Sequence, residues 1–280
     1  IFYLVAVFIQ LMFIGNLSMK KTLIALAVAA SAVVSGSAMA WTANGTGNSV
    51  ELSGTLTPVA KVTPWEVKTG DAVTGIDALV QKGQNIVTID VNQAIPVLGI
   101  RTQTNKTFPG QTGISPQINF GNAINVDTIK NGEVVLTINV NNGDDGGRIG
   151  TLSTSLLVGA EYSFTGPRGG NYVMVAPESG YGFFGGLPKD KSGALSNPYN
   201  RLAAISGEFV EKYNDQGTSR SEINDGYGGW DFTDSSYQYS AYYGSGIEKG
   251  KNITITLDKA VTGDTQIKWK ASLPVTVTYM

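Results

Sequence analysis

The chain has no cysteine and no histidine. The first absence rules out disulfides, so stability must come from core burial, a metal or assembly with other chains. The second removes the commonest general base, the Ser-His and Cys-His catalytic pairs, and the usual zinc ligand. Charge is scarce too. Only 15% of residues are Asp, Glu, Lys or Arg, and no basic block occurs, which argues against a nucleic-acid partner.

Glycine, by contrast, is abundant, at 35 of 280 residues. Together with many Thr, Val and Asn it reads as short strands joined by Gly-rich turns, an all-β composition. The N-terminus carries two apolar stretches. Met19-Lys20-Lys21, the apolar run Leu23 to Val34 and the small-x-small site Ala38-Met39-Ala40 form a signal peptide over residues 19–40. The run is short for a membrane span, which needs about 20 residues. Residues 1–18 read as upstream sequence translated in frame. Removing Lys20 and Lys21 leaves 18 basic against 22 acidic residues, a net charge of −4 for residues 41–280.

Beyond residue 40, period-2 alternation dominates, as expected of strands. It appears in Val50, Leu52 and Leu56, in Val87, Ile89 and Val91, in Val134, Leu136, Ile138 and Val140, and in Ile253, Ile255 and Leu257. The C-terminus is the most regular. Ile267, Trp269, Ala271, Leu273, Val275, Val277 and Tyr279 share one face, with Pro274 on the other. A proline there fits an edge strand or a bulge, because it donates no ladder hydrogen bond. Residues 141–148, NNGDDGGR, form a turn. Asp144 and Asp145 cluster there without the spacing of a twelve-residue calcium loop, and no metal or other cofactor is expected. Asn200 to Tyr213 breaks the pattern. Leu202, Ile205, Phe209 and Tyr213 fall near helical spacing, and Gly207 divides them into one helix or two short ones. Residues 160–200 and 214–246 read as long ordered loops. There is no repeat and no linker.

The two ends fit one mechanism, in which a sandwich lacking its last strand accepts the N-terminal segment of the next copy. Val50, Leu52, Gly54 and Leu56 suit a donor strand, with Gly54 where the groove is shallow. Ile267, Trp269, Leu273, Val275, Val277 and Tyr279 suit the strand bordering that groove. On pattern alone, an ordinary first strand paired within its own domain fits equally well.

The signal MKKTLIALAVAASAVVSGSAMA and the segment NSVELSGTLT resemble the N-termini of kappa-class chaperone–usher fimbrial major subunits of enterotoxigenic enterobacteria. PWEVKTG (64–70), IPVLGIRTQT (95–104), GISPQINF (113–120), YYGSGIEKG (242–250) and LPVTVTYM (273–280) are similar to the same family, in order along most of the chain. The resemblance implies an incomplete immunoglobulin-like sandwich completed by donor-strand exchange. Residues 41–57 would be the donor extension and residues 58–280 the domain, with a loop and short-helix insertion at about 141–215. It also implies a shaft subunit that is itself an adhesin, exported through the periplasm to the cell surface. Its partners would be like subunits, a periplasmic chaperone, an outer-membrane usher and host glycoconjugates.

A lectin site needs an aromatic face and polar groups. Arg168, Tyr172, Glu178, Tyr181, Phe183 and Phe184 offer one such cluster. Trp230 and Asp231, near Tyr227, Tyr237 and Tyr239, offer a second. The competing role for each ring is packing. A glycoside hydrolase would need paired carboxylates, and no pair stands out, so no enzyme is expected. An outer-membrane barrel would need strands of about 9–11 residues with aromatic girdles, and most strands here are too short. A shaft subunit without lectin activity remains the nearest alternative.

Overall fold

The structure, a computed structural model, describes residues 43–45, 50–58, 62–218 and 226–280. The signal peptide and residues 1–18 lie outside the described residues. The chain divides into two compact units, Ile1–Lys61 and Val62–Met280. In the first, residues 50–58 form neither strand nor helix. Val50, Leu52 and Leu56 are 80%, 93% and 99% exposed, so their apolar side chains are left in water.

The second unit is an all-β, immunoglobulin-like fold. Its strands are β1 (Trp65–Thr69), β2 (Ile86–Asp90), β3 (Ile95–Thr102), β4 (Phe108–Pro109), β5 (Pro116–Asn119), β6 (Glu133–Asn142), β7 (Arg148–Thr165), β8 (Gly170–Met174), β9 (Tyr227–Gly228), β10 (Gln238–Ile247), β11 (Asn252–Leu257), β12 (Trp269–Ala271) and β13 (Thr276–Tyr279). The large sheet runs β1-β3-β10-β7-β11-β2, and a branch from β7 runs through β6 to β12. The small pair β13-β5 stands apart from it. The expected turn at 141–148 closes the β6–β7 hairpin. There Asp145 accepts from the Gly147 amide, and Asp144 pairs with Lys268 at 2.9 Å.

Strand β7 was not legible as a strand. Its second half is buried on both faces; Leu156 to Ala160 run on without a polar residue, and the buried Glu161 and Ser163 then alternate with Tyr162 and Phe164. Leu156, Val158, Ala160, Tyr162 and Phe164 face the main core, and Leu157 faces the opposite side. The structure therefore places residues 141–165, expected to open the insertion, within the main sheet. The long excursion runs instead from the end of β8 to the start of β9.

That excursion contains the expected helical segment as two pieces, α1 (Pro198–Ile205) and a 3₁₀ turn (Gly207–Phe209). They lie on the outer face of the sheet because glycines clear space for them. Gly99, Gly244 and Gly159 are in register across β3, β10 and β7. A Cβ on Gly99 would sit 2.6 Å from the Phe209 ring, one on Gly244 2.7 Å from the same ring, and one on Gly159 2.9 Å from Leu195. This trough lets Leu202, Ile205 and Phe209 reach Leu157 and Tyr242.

Charges lock the helix down. Arg201 of α1 donates to Glu133 at 2.8 Å and to both oxygens of Glu248, while Lys251 and Ser155 also donate to Glu133. Burial alone would raise the Glu133 carboxyl. The hydrogen bonds from Lys251, Arg201 and Ser155 outweigh it and hold the pKa at about 2.

Candidate functional site

Two features could meet a partner. The first is a pair of sheet edges. Among the described residues, β1 pairs only with β3, β12 only with β6 and β13 only with β5. The end strands approach each other around the core. Trp65 of β1 donates its indole N–H to the Ile114 carbonyl at 2.6 Å, and the adjacent Ser115 exchanges two backbone hydrogen bonds with Met280.

Along these edges, residues that should face inward are incompletely covered. Trp65 is buried, yet Val67, two residues on and on the same face, is 42% exposed. On the C-terminal strand Trp269, Ala271, Leu273, Val275, Val277 and Tyr279 are all half-buried, and the residues between them are exposed. Trp269 and Ala271 pack on one core cluster, and Leu273, Val275, Val277 and Tyr279 on another. Pro274 falls in the irregular stretch separating β12 from β13. Ile267, expected at the start of this strand, precedes β12 and is 43% exposed. The row therefore lies on a core without being sealed by it.

The second feature is an aromatic ridge. Tyr162 and Phe164, two residues apart on β7, stack against Tyr172 of β8 at ring-centroid distances of 5.8 and 5.7 Å. Trp230 stacks on Phe164 at 5.6 Å with the rings only 11° from parallel. Its indole N–H donates to the Tyr239 hydroxyl at 2.7 Å, and Tyr237 meets it edge-on at 5.9 Å. Burial pushes Tyr239 up to about 12, so its hydroxyl stays protonated.

Residues expected in two separate clusters thus meet around one loop. A Cβ on Gly226 would strike the Tyr172 ring, and one on Gly229 the Tyr181 ring, so both rings lie against the backbone that carries Trp230. The Gly182 amide donates to the Trp230 carbonyl at 2.8 Å. Tyr172, Tyr181, Trp230 and Tyr237 are half-buried, whereas Arg168, Glu178 and Asp231 are exposed.

Phe183 has a different place from the one expected. It is fully buried and contacts Trp65 at 5.5 Å and Tyr243 at 5.6 Å, so its ring packs the core and offers no face to a ligand. Phe184 is half-buried against the same core, its backbone bridged to Gln117.

Sequence reasoning missed Phe232. It is also fully buried, 5.3 Å from Trp65 and 6.2 Å from Phe183. Phe183 and Phe232 both have left-handed backbones, with φ of 62° and 56°. For bulky residues that conformation costs about 1–3 kcal/mol and persists only where the surroundings enforce it. Each follows a half-exposed ring by two residues: Tyr181 before Phe183, and Trp230 before Phe232.

A cleft of about 430 Å³ lies between β1, β3 and the 3₁₀ turn. Its charged rim is internally paired. Arg101 holds Glu66 and Glu211, Lys212 also binds Glu66, and Lys68 binds Glu208.

Residues 19–280 match the family model described as fimbrial, major and minor subunit. The K88 fimbrial protein AB of Escherichia coli is 31% identical over 293 residues, covering 93% of this chain and all of that relative. The F41 fimbrial protein of Escherichia coli is 32% identical over 289 residues, and the K88 fimbrial protein AC 30% over 291, with the same coverage.

Proposed function

Because the chain belongs to the family of fimbrial major and minor subunits, we propose that it is a polymerising shaft subunit completed by the N-terminal strand of its neighbour. One observation carries this reading. Among the described residues, β1, β12 and β13 each pair on one side alone and carry an unsealed apolar row, Val67 on β1 and Trp269 to Tyr279 along β12 and β13. An added strand would hydrogen-bond to those edges and cover the row. The chain also supplies a segment of that kind, since Val50, Leu52 and Leu56 alternate and are exposed. Fully burying such a side chain is worth about 1.5–3 kcal/mol.

In this reading an unassembled subunit exposes its groove. A periplasmic chaperone covers it and an outer-membrane usher exchanges the chaperone for the next subunit on the way to the cell surface. Deleting residues 41–57 tests the mechanism. Fibres should be lost while chaperone-bound monomer persists. Normal fibres from the deletion would refute donation.

The subunit is also an adhesin for host glycoconjugates. The half-exposed rings of Tyr181 and Trp230 support this, with the exposed Asp231 next to Trp230 in the chain, since they pair apolar faces with a polar group. Many copies along one fibre would raise weak single-site affinity by about 10²–10⁴ through avidity. Purified wild-type fimbriae should bind a panel of immobilised host glycans. No binding to any would leave a purely structural subunit.

A further inference from the structure

We infer that Glu51 in the donor segment of one copy pairs with Lys270 on β12 of the next, and that this ion pair sets the register of the donated strand. This rests on the donation reading and names the residues that fix its register.

Alternation alone leaves the register open. The C-terminal row offers six half-buried positions, every second residue from Trp269 to Tyr279. The donor presents four positions to it, Val50, Leu52, Gly54 and Leu56. A slip of one residue would turn the apolar side chains of the donor to the solvent face, so burial excludes it. A slip of two keeps all of them facing inward. Several registers therefore bury the same side chains, and the outward-facing residues must tell them apart.

Those outward faces carry few charges. Residues 41–58 contain one charged side chain, Glu51, which is exposed between Val50 and Leu52. The bordering strands contain four, Glu66 and Lys68 on β1 and Lys268 and Lys270 at the C-terminal end. Three of the four are engaged within their own subunit. Glu66 binds Arg101 and Lys212, Lys68 binds Glu208 at 2.7 Å, and Lys268 binds Asp144 at 2.9 Å. Among the described residues Lys270 has no ion-pair partner. It is exposed between the half-buried Trp269 and Ala271, on a strand that pairs only with β6. The charge left over on the accepting edge is thus positive, and the single charge on the donor is negative.

The match in charge comes with the match in apolar pattern, which is why the occupant is a second copy of this chain. Directly opposed residues on one face of a sheet stand about 4.5–5.5 Å apart at Cβ, within reach of an acid and a lysine, and like charges so placed repel. Moving the donor by two residues shifts Glu51 about 7 Å along the strand and leaves both charges unpaired. An exposed pair adds little to stability. Its weight falls on the rate of docking and on the register.

The test uses fimbriae assembled from the full chain. Glu51→Lys and Lys270→Glu each oppose like charges and should slow fibre formation from chaperone-bound subunits about threefold at low ionic strength. The double variant restores opposite charges and should assemble within about twofold of wild type. Single variants that assemble at the wild-type rate, or a double variant no faster than the slower single, would overturn the pair and leave donation standing. Normal fibres after deletion of residues 41–57 would overturn both. Register is read with a photo-crosslinking residue at Ser53, on the same outward face as Glu51. Its crosslinks should map to one site within two residues of Lys270 of a neighbouring subunit, and in Glu51→Gln they should spread to sites two residues away. A different site in wild type, or a single site unchanged by Glu51→Gln, would overturn the assignment of register.

Discussion

Phe183 and Phe232 hold a left-handed backbone so that two rings can close on Trp65. Replacing either with Ala should cost about 3–5 kcal/mol, the range for a deleted core phenylalanine, read as a lowered midpoint in denaturant unfolding. Tyr181→Ala and Trp230→Ala remove half-exposed rings and should cost clearly less in the same assay. At this scale the sequence gives residue types but not depth. The run Tyr181 to Phe184 offers three rings at similar spacing. Only the backbone turn decides that Phe183 faces the core while Tyr181 remains at the surface. Tyr162 and Phe164 did carry a signal, period-2 spacing on β7 against Glu161, Ser163 and Thr165, but it is brief and follows the unalternating run Leu156 to Ala160.

Among the elements, α1 and the 3₁₀ turn depend on the glycine row beneath them. Gly244→Ala should destabilise the fold and loosen the helix. Its Cβ would press on the Phe209 ring between strands that cannot move apart. Faster amide exchange in 198–210 would register this, and unchanged exchange would count against the trough. Glu133 ties the same helix to β6, with a pH dependence of definite sign. Its pKa falls from 4.5 to about 2 on folding, so its contribution is fully present above about 4.5 and lost as the pH drops towards 2. Wild type should lose stability across that window more steeply than Glu133→Gln, measured by thermal unfolding at stepped pH. The helix and its break at Gly207 were legible from Leu202, Ile205 and Phe209. The glycine row was not, because its register exists only once β3, β10 and β7 are paired.

For the whole molecule, the decisive feature is that, among the described residues, β1, β12 and β13 each pair on one side alone. The pattern near the C-terminus was readable because alternation in 269–279 survives into the structure as half-buried and exposed residues in turn, with Ile267 the exception. What alternation could not supply was whether 50–56 pairs at home. In the described residues that segment has no strand partner, and its apolar side chains face water. The most direct test places a photo-crosslinking amino acid at Leu52 and irradiates assembled fimbriae. The account predicts crosslinked dimers, with the crosslink mapping by mass spectrometry to β1 or to residues 269–279 of a neighbouring subunit. Crosslinks confined to single chains, or dimers joined at other surfaces, would contradict it.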